Sequence, residues 1–557
     1  MPISSSDTVN KAAALSQQDS VFRSAGVVSA SVLTSRVSGL IREILMARLF
    51  GAGLIYDAFL AGFRIPNLTR DLFAEGALSS AFVPTFTHYL TTKDKREAAV
   101  LANLVGTAII LVVGALCLLG IVFSPALVNL TVGGFSNVPG KIELTVHLTR
   151  IMFPFLLMVA LAAQVMGMLN ACNQFTIPAL SSTFFNIGSL CFGIALGFWA
   201  GPRLGFEPIT GMALGVVLGG MLQLAVQLPS LYHSGFAFRF QTDWSHSGLR
   251  QILRLMAPAI LGSAAVQINV LVSSNFASGI ADPVRGHDGP VAWLGYAFRF
   301  MQLPLGLFGV AIASATLPAI SRSASLGRMD EFRRTLSSSL GMVLLLTLPS
   351  SVGLLVLGKS MIGAIYEGGK FRAYDTQQTA MALSCYAIGL GAYAAIKVLA
   401  PAFYALNDSR TPMLVSLCSI LINYGAASAM VRTGTLGHAG LALATSLVAL
   451  FNFVALFWIL RNRIGGIHGR ALLRSVVQIV LASAVMGVVV ALSSQGIQAL
   501  LGLRRLARIT DLAISIPIGV AAFYGVCKAL KVAELDMAGR ALMSSASQRL
   551  SRRRARM

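Results

Sequence analysis

Apolar runs of about 20 residues follow one another along most of this chain. Apolar residues fill 55% of its 557 positions and charged residues only 11%, a balance that soluble domains do not show. Each run is long enough to cross the hydrocarbon core of a bilayer as a helix. The alternating ten-residue segments of a membrane barrel are absent from the sequence. The pattern predicts an all-α polytopic membrane protein with about 14 transmembrane helices.

The expected spans begin near residues 25, 57, 98, 143, 176, 207, 251, 291, 336, 377, 412, 438, 472 and 508. Basic residues are dense in every second connection, and the positive-inside rule makes those connections cytoplasmic. Both termini are then cytoplasmic, because the number of spans is even. Arg504, Arg505 and Arg508 depart from the rule, which requires either a short interfacial helix or a different start for the last span.

The predicted topology explains why the chain carries a large net positive charge. The net charge of +22 is spread over the predicted cytoplasmic loops, and no nucleic-acid recognition fold accompanies it. The sequence therefore predicts no nucleic-acid partner. Arginines at residues 549–556 predict that the tail contacts anionic lipids of the cytoplasmic leaflet.

Arginines also occur inside the expected spans. An arginine at the centre of such a helix costs roughly 2.5 to 3.5 kcal/mol on insertion scales. Several of them together predict a water-filled cavity that holds an anionic group. Five lie in or beside the first two spans and one lies deep in the eighth: Arg36, Arg42, Arg48, Arg64, Arg70 and Arg299.

Carboxylates accompany the first group of arginines. Arg36 and Glu43 are seven residues apart and share a helix stripe, and Asp57 and Arg64 have the same spacing. The alternative interpretation is a set of ion pairs that only lock helices together. The candidates for the cavity or for a gate are Ser35, Glu43, Glu75, Gln267 and Lys397.

Two pairs of similar segments predict an internal repeat. Residues 173–178 (NQFTIP) match 407–412 (NDSRTP), and residues 73–84 match 308–318, both offset by about 234 residues. Six spans per repeat place both halves in one orientation, as two six-helix lobes around a central cavity with two extra C-terminal helices. The expected domains are a polar cytoplasmic lead (1–20), an N-lobe (21–235), a C-lobe (236–465), spans 13 and 14 (466–532) and a basic cytoplasmic tail (533–557).

The sequence offers little for catalysis. Its seven histidines are scattered, and no His, Asp or Glu cluster has metal-ligand spacing. No nucleophile lies beside a base. We expect a transporter without a metal or other cofactor, and the sequence leaves open whether a coupling ion or the membrane potential drives it.

Several ordered motifs resemble one family, the MurJ (MviN) lipid II flippases of the multidrug/oligosaccharidyl-lipid/polysaccharide exporter superfamily. The likeness covers nearly the whole chain. This sequence departs from the family where Phe298 and Gln302 replace acids that usually flank Arg299. The motifs are 35–43 (SRVSGLIRE), 50–53 (FGAG), 57–59 (DAF), 66–68 (PNL), 73–77 (FAEGA), 366–371 (YEGGKF) and 397–401 (KVLAP).

The resemblance implies translocation of undecaprenyl-pyrophosphate-linked disaccharide peptide from the inner to the outer leaflet of the bacterial inner membrane, by alternating access. It implies that spans 13 and 14 form a groove for the polyprenyl tail. It also implies a set of substrate-binding residues: Arg36, Arg42, Asp57, Arg64, Arg70 and Arg299.

Two other functions remain open at this point. One is export of another substrate within the superfamily, such as an O-antigen-type lipid-linked oligosaccharide or a drug exchanged for a cation. A cation carrier should line its cavity with Asp and Glu, whereas this chain supplies Arg. The more distant function is a membrane enzyme acting on polyprenyl phosphates.

The charge pattern generates a topology prediction. Single cysteines placed beside Arg96, Arg250 or Arg333 in a cysteine-free variant should be protected from a membrane-impermeant thiol reagent in intact cells, because those loops are cytoplasmic. A cysteine beside Arg285 should be labelled. Labelling near Arg333 together with protection near Arg285 would overturn the orientation.

Overall fold

The computed structural model describes residue 31 and residues 33–70, 78–467, 469–502 and 504–537. The predicted lead (1–20), Glu75 and residues 538–557 of the predicted tail lie outside this part of the chain. The described residues form helices, and no β-strand occurs among them.

The helices are numbered here in chain order. The first, α1, comprises residues 33–50. The others are α2 (Leu54–Arg70), α3 (Ser79–Thr92), α4 (Lys95–Val122), α5 (Ser124–Val132), α6 (Lys141–Met152), α7 (Phe155–Ala171), α8 (Thr176–Ile194), α9 (Gly201–Leu204), α10 (Pro208–Ala225), α11 (Leu228–His233), α12 (Ser247–Gly279), α13 (Pro290–Pro304), α14 (Ala311–Ser325), α15 (Met329–Ile365), α16 (Ala373–Ala405), α17 (Arg410–Thr433), α18 (Gly437–Arg463), α19 (Gly469–Leu501) and α20 (Arg505–Ala529).

Eleven helical segments among the described residues are long and apolar enough to cross a membrane. They begin at Lys95, Lys141, Thr176, Pro208, Pro290, Met329, Ala373, Arg410, Gly437, Ala471 and Arg505. The all-helical, multi-pass prediction is therefore confirmed. Most starts lie within a few residues of the expected ones; α15 begins at 329 where 336 was expected. Helices α1, α2 and α12, which carry most of the predicted site residues, are not among the eleven.

The two matching segments of the predicted repeat form the same kind of turn. Asn173 and Asn407 both have a left-handed backbone, with φ of 60° and 56°. The amide that follows each of them bonds back over five residues, from Gln174 to Leu169 and from Asp408 to Phe403, at 2.9 Å in both cases. These bonds satisfy carbonyls at the end of the preceding helix.

Asp408 starts the helix that follows the second of these turns. Its carboxylate accepts a hydrogen bond from the Thr411 hydroxyl at 2.7 Å and others from the Arg410 and Thr411 amides. The Thr411 hydroxyl bond lowers the pKa of Asp408 below its usual value. The charged carboxylate therefore satisfies amide donors that the start of α17 leaves without a helical partner.

Packing divides the chain into two compact units. Unit 1 comprises the described residues up to Met46 together with Leu54–Gln267, and unit 2 comprises Ala47–Gly53 and the described residues from Ile268 onward. The boundary falls inside α12, whereas the repeat placed the lobe boundary at residue 235. The lobe limits remain a prediction.

Each unit has its own buried core. In unit 1, α3, α4 and α7 bury a cluster that includes Phe82, Phe86, Leu101, Leu156 and Leu169. In unit 2, α15, α16 and α18 bury a cluster that includes Phe332, Leu336, Val398, Phe403 and Leu460.

Candidate functional site

One face of α1 is held against α8 in unit 1. Asn186 of α8 donates through Nδ2 to the Ser35 carbonyl and to Ser38 Oγ, both at 3.2 Å. Gly39 lies against the same amide, and a Cβ added to Gly39 would lie 3.4 Å from Asn186 Nδ2. One turn further along, the Arg42 guanidinium lies 5.2 Å from the centre of the Phe185 ring. Ser35 is thus part of the packing of α1, and Arg42 is partly buried on the same face.

Arg36 lies on a different face of α1. It is one residue, or about 100°, from Ser35 and is exposed, while Glu43 on its stripe is partly buried. An exposed guanidinium within an apolar helix requires water or an anionic group beside it. Arg36 is therefore the residue of α1 that is best placed to meet a ligand.

Asp57 and Lys141 form a buried ion pair. Asp57 Oδ2 lies 2.9 Å from Lys141 Nζ, and both side chains have zero exposure. The ammonium also lies 4.3 Å from the centre of the Phe135 ring. Asp57 was predicted to bind substrate, with helix locking as the alternative. In this structure its carboxylate is occupied by Lys141, which favours the locking role.

The remaining arginines of α2 are partly buried. Arg64 lies two residues before Pro66, which is inside the helix, and Arg70 ends α2. A proline inside a helix removes one backbone hydrogen bond and bends the helix. The assignment of Arg64 and Arg70 to the substrate site stays a prediction.

In unit 2, Arg299 lies on the exposed side of α13. Its neighbours Ala297, Phe300 and Met301 are buried, and Phe298 packs edge-on against Tyr386 with ring centres 5.4 Å apart. Arg299 itself is exposed. Lys397 of α16 is exposed as well, between buried packing positions. Both side chains are accessible, as a substrate contact would require.

Gln267 is partly buried on α12, and the polar contacts of that helix lie just beyond it. Asn269 donates to Ser419 Oγ at 3.0 Å, and Asn423 donates to the Asn269 carbonyl at 3.1 Å and to Ser273 Oγ at 3.3 Å. The Asn269 side-chain oxygen is buried without a partner among the described residues. These bonds tie α12 to α17.

Sequence reasoning missed the partners of these residues. No role in the site was predicted from the sequence for Lys141, Phe185 or Asn186. One signal for Lys141 was available, because it opens the fourth expected span and Asp57 lies near the start of the second, on the same predicted side. The α8 contacts had no such signal.

Within the described ranges, no three His, Cys, Asp or Glu side chains are grouped closely enough to hold a metal ion. The charged groups described above are suited to binding an anion and to pairing helices.

Comparison with known proteins adds family information to this geometry. Residues 46–510 match the family model described as "Lipid II flippase MurJ". A "Probable lipid II flippase MurJ" of Vibrio cholerae is 35% identical over 78% of this chain and 82% of its own. A protein of the same description from Bdellovibrio bacteriovorus is 33% identical over 92% and 95%, and a "Lipid II flippase MurJ" of Burkholderia cenocepacia is 33% identical over 80% and 84%.

Solved structures show similar folds. A "Lipid II flippase MurJ, inward closed conformation" is similar with a TM-score of 0.73 and 25% identity, covering 90% of this chain and 99% of that one. An inward-facing multidrug resistance MATE family transporter is similar with a TM-score of 0.58, over 79% and 93%, at 15% identity. The second likeness concerns the fold alone.

The Asp57–Lys141 pair generates a stability prediction. Asp57→Asn should reduce the abundance and thermal stability of the purified protein, because removing one partner of a buried pair costs about 3 to 5 kcal/mol. Asp57→Asn combined with Lys141→Met should recover both quantities. The matched control is Glu97→Gln, which breaks the exposed Lys93–Glu97 pair of the same length and should change neither.

Transport by the double variant separates the two roles of Asp57. Recovered abundance with recovered transport means that the pair only locks helices. Recovered abundance without transport would contradict the locking role and return Asp57 to the substrate site.

Proposed function

The chain belongs to the MurJ family of lipid II flippases, and we propose that it carries lipid II, the undecaprenyl-pyrophosphate-linked peptidoglycan precursor, from the inner to the outer leaflet of a bacterial cytoplasmic membrane. The transport cycle that we propose is alternating access, in which the substrate shifts the population between two states that expose its site to opposite sides. The observation that carries this proposal is the exposed Arg36 on α1, with a second arginine, Arg42, about one and two-thirds turns away on the same helix.

Arginine suits this substrate for a chemical reason. A guanidinium presents a planar fork of donors that matches phosphate oxygens in a bidentate way and keeps its charge at any physiological pH. In a cavity of low dielectric such contacts are stronger than in water. We propose that Arg36 and Arg42 bind the pyrophosphate, and that Arg64 and Arg70 contribute further positive charge from α2.

Unit 2 supplies Arg299, with Lys397 and Gln267 as further candidates. Phe298 and Gln302 stand where the family often has acids beside Arg299, and Phe298 packs on Tyr386. We propose that Arg299 also contacts the pyrophosphate.

The multi-pass architecture and the family fit a transporter rather than an enzyme. We propose that both termini are cytoplasmic and that the basic tail contacts anionic lipids there. We further propose that α19 and α20 take up the polyprenyl tail. The energy source is left open, between a coupling ion and the membrane potential.

The pyrophosphate contact predicts the effect of removing either arginine of α1. Arg36→Ala and Arg42→Ala should abolish lipid II transport while the protein is inserted at normal abundance, because losing a desolvated charge-assisted contact costs on the order of 2 to 5 kcal/mol. The measurement is complementation of a depletion strain together with quantification of the inserted protein. Arg203→Ala is the control, since Arg203 is exposed on α9 and lies against Trp199.

Two results would count against this assignment. Loss of abundance in the α1 variants would assign these arginines to helix packing. Normal abundance with full transport would remove them from both roles.

A separate prediction concerns Arg299. Arg299→Lys keeps the charge but loses the planar fork, so it should weaken lipid II binding, and Arg299→Ala should weaken binding further. Binding to the purified protein is the measurement, and Arg322→Lys and Arg322→Ala on the exposed end of α14 are the matched controls. Equal affinity for wild type and both Arg299 variants would exclude Arg299 from the substrate site.

A further inference from the structure

Two of the three arginines that departed from the charge rule make specific contacts within unit 2. Helix α20 begins at Arg505, whose Nε donates to the Ala364 carbonyl at 3.1 Å. Arg508 is 5% exposed and pairs with Glu367. Two of these arginines are therefore used inside unit 2, at the end of α15 and in the loop that follows it.

The turn of α20 that carries Arg508 is fixed by a buried carboxylate. Asp511 lies three residues further on and has zero exposure. It accepts hydrogen bonds from side chains of three helices at 2.6 to 3.1 Å: Ser360 of α15, Ser494 and Gln498 of α19, and Ser515 of α20. In a membrane, packing two apolar helix faces together gains little free energy over contact with lipid. Interhelical hydrogen bonds such as these therefore help to set the position of one helix against another.

Glu367 belongs to the loop at residues 366–371 and connects that loop to Arg508 of α20. Besides Arg508 it accepts a hydrogen bond from Thr376 Oγ1 of α16 at 2.7 Å. The loop also has bonds and ring contacts of its own. Gly368 and Phe371 exchange backbone hydrogen bonds at 3.0 and 3.2 Å, and the buried Tyr366 and Phe371 rings pack on Tyr296.

The same loop holds the turn at residues 47–53, which ends α1. The Lys370 amide donates to the Arg48 carbonyl at 3.0 Å, and Tyr296 Oη donates to the Gly51 carbonyl at 3.4 Å. Gly51 has φ of 72°, and a Cβ there would lie 2.7 Å from the Lys370 carbonyl oxygen. Gly369 has φ of 58°, and a Cβ there would lie even closer to the Arg48 carbonyl oxygen. No other residue type would fit either position without moving the backbone.

Arg285 fastens the other end of this turn. It donates to the Ala52 carbonyl and pairs with the fully buried Asp375 at 2.8 Å. Asp375 also accepts from Trp293 Nε1 at 3.0 Å and from the Arg372 amide at 2.8 Å. The turn that ends α1 is therefore held by side chains and backbone groups that are themselves fixed.

We propose that Arg508 and Glu367 are positioning residues for substrate binding, an inference that rests on the proposed function. By fixing the loop at 366–371 they fix the turn at 47–53, which is the end of the helix that carries Arg36 and Arg42. Helix α1 is continuous from residue 33 to residue 50, so Arg42 lies about 9 Å along the helix axis from Arg48, and a rotation at one end is carried to the other. The YEGGKF segment (366–371) and Arg508 therefore belong to one series of contacts that reaches the end of α1.

The test uses the full-length purified protein with lipid II as the probe. Arg508→Met keeps much of the side-chain volume but removes the ion pair. Gly363→Ala reaches the same contact from α15, because a Cβ there would overlap the Arg508 guanidinium, while alanine favours the helix. Both variants should weaken lipid II binding roughly two- to thirty-fold. Both should also speed amide hydrogen exchange in residues 33–46.

Conservative and control variants complete the design. Arg508→Lys keeps the charge and should restore most of the binding and the slow exchange. Asp330→Asn, which breaks the exposed Arg333–Asp330 pair of the same unit, should change neither. Amide exchange in α1 is the readout that a loss of general stability would not single out.

Two outcomes separate this inference from the proposed function. Unchanged exchange at residues 33–46 in both Arg508→Met and Gly363→Ala would overturn the positioning role. A wild type that binds no lipid II, with faster α1 exchange in both variants, would overturn the proposed function and support the link between α20 and α1.

Discussion

A charge within a membrane-spanning helix must either meet a partner or face water, because the cost of leaving it alone in a low dielectric exceeds what packing can return. This constraint divides the charged residues of the chain into two groups. Asp57 with Lys141, and Asp511 with its hydroxyl and amide donors, are buried and satisfied. Arg36, Arg299 and Lys397 have exposed side chains. The first group holds helices in place, and the side chains of the second group are accessible, as a substrate contact requires.

The positions of most helices along the chain could be predicted from the sequence because apolar length is a local property. The starts of the spans needed no tertiary information, and the two segments that matched in the sequence, at Asn173 and Asn407, form the same kind of turn. The span count stays approximate, since charges in α1 and α2 weaken the apolar signal where the predicted site lies. The resemblance to a family supplied the substrate class, which composition and charge alone did not give.

The partners of the charged residues could not be predicted in the same way. Asp57 and Lys141 are 84 residues apart, and Arg508 and Glu367 are 141 apart. Pairing across such distances depends on which helices pack together and on their rotation, and neither follows from spacing along one helix. For this reason Asp57 was predicted to bind substrate. The basic residues 504–508 left two interpretations open, a short interfacial helix or a different start for the last span, and the structure starts α20 at Arg505.

The central claim is that this protein moves lipid II across the membrane, and the most direct measurement is the leaflet distribution of lipid II after the protein is depleted in its own cells. The assay is the fraction of lipid II that an externally added, impermeant reagent can reach. The account predicts that total lipid II rises and the accessible fraction falls, and that re-expression of the wild type, but not of Arg36→Ala at equal abundance, reverses both. An unchanged accessible fraction after depletion, with peptidoglycan synthesis continuing, would contradict it.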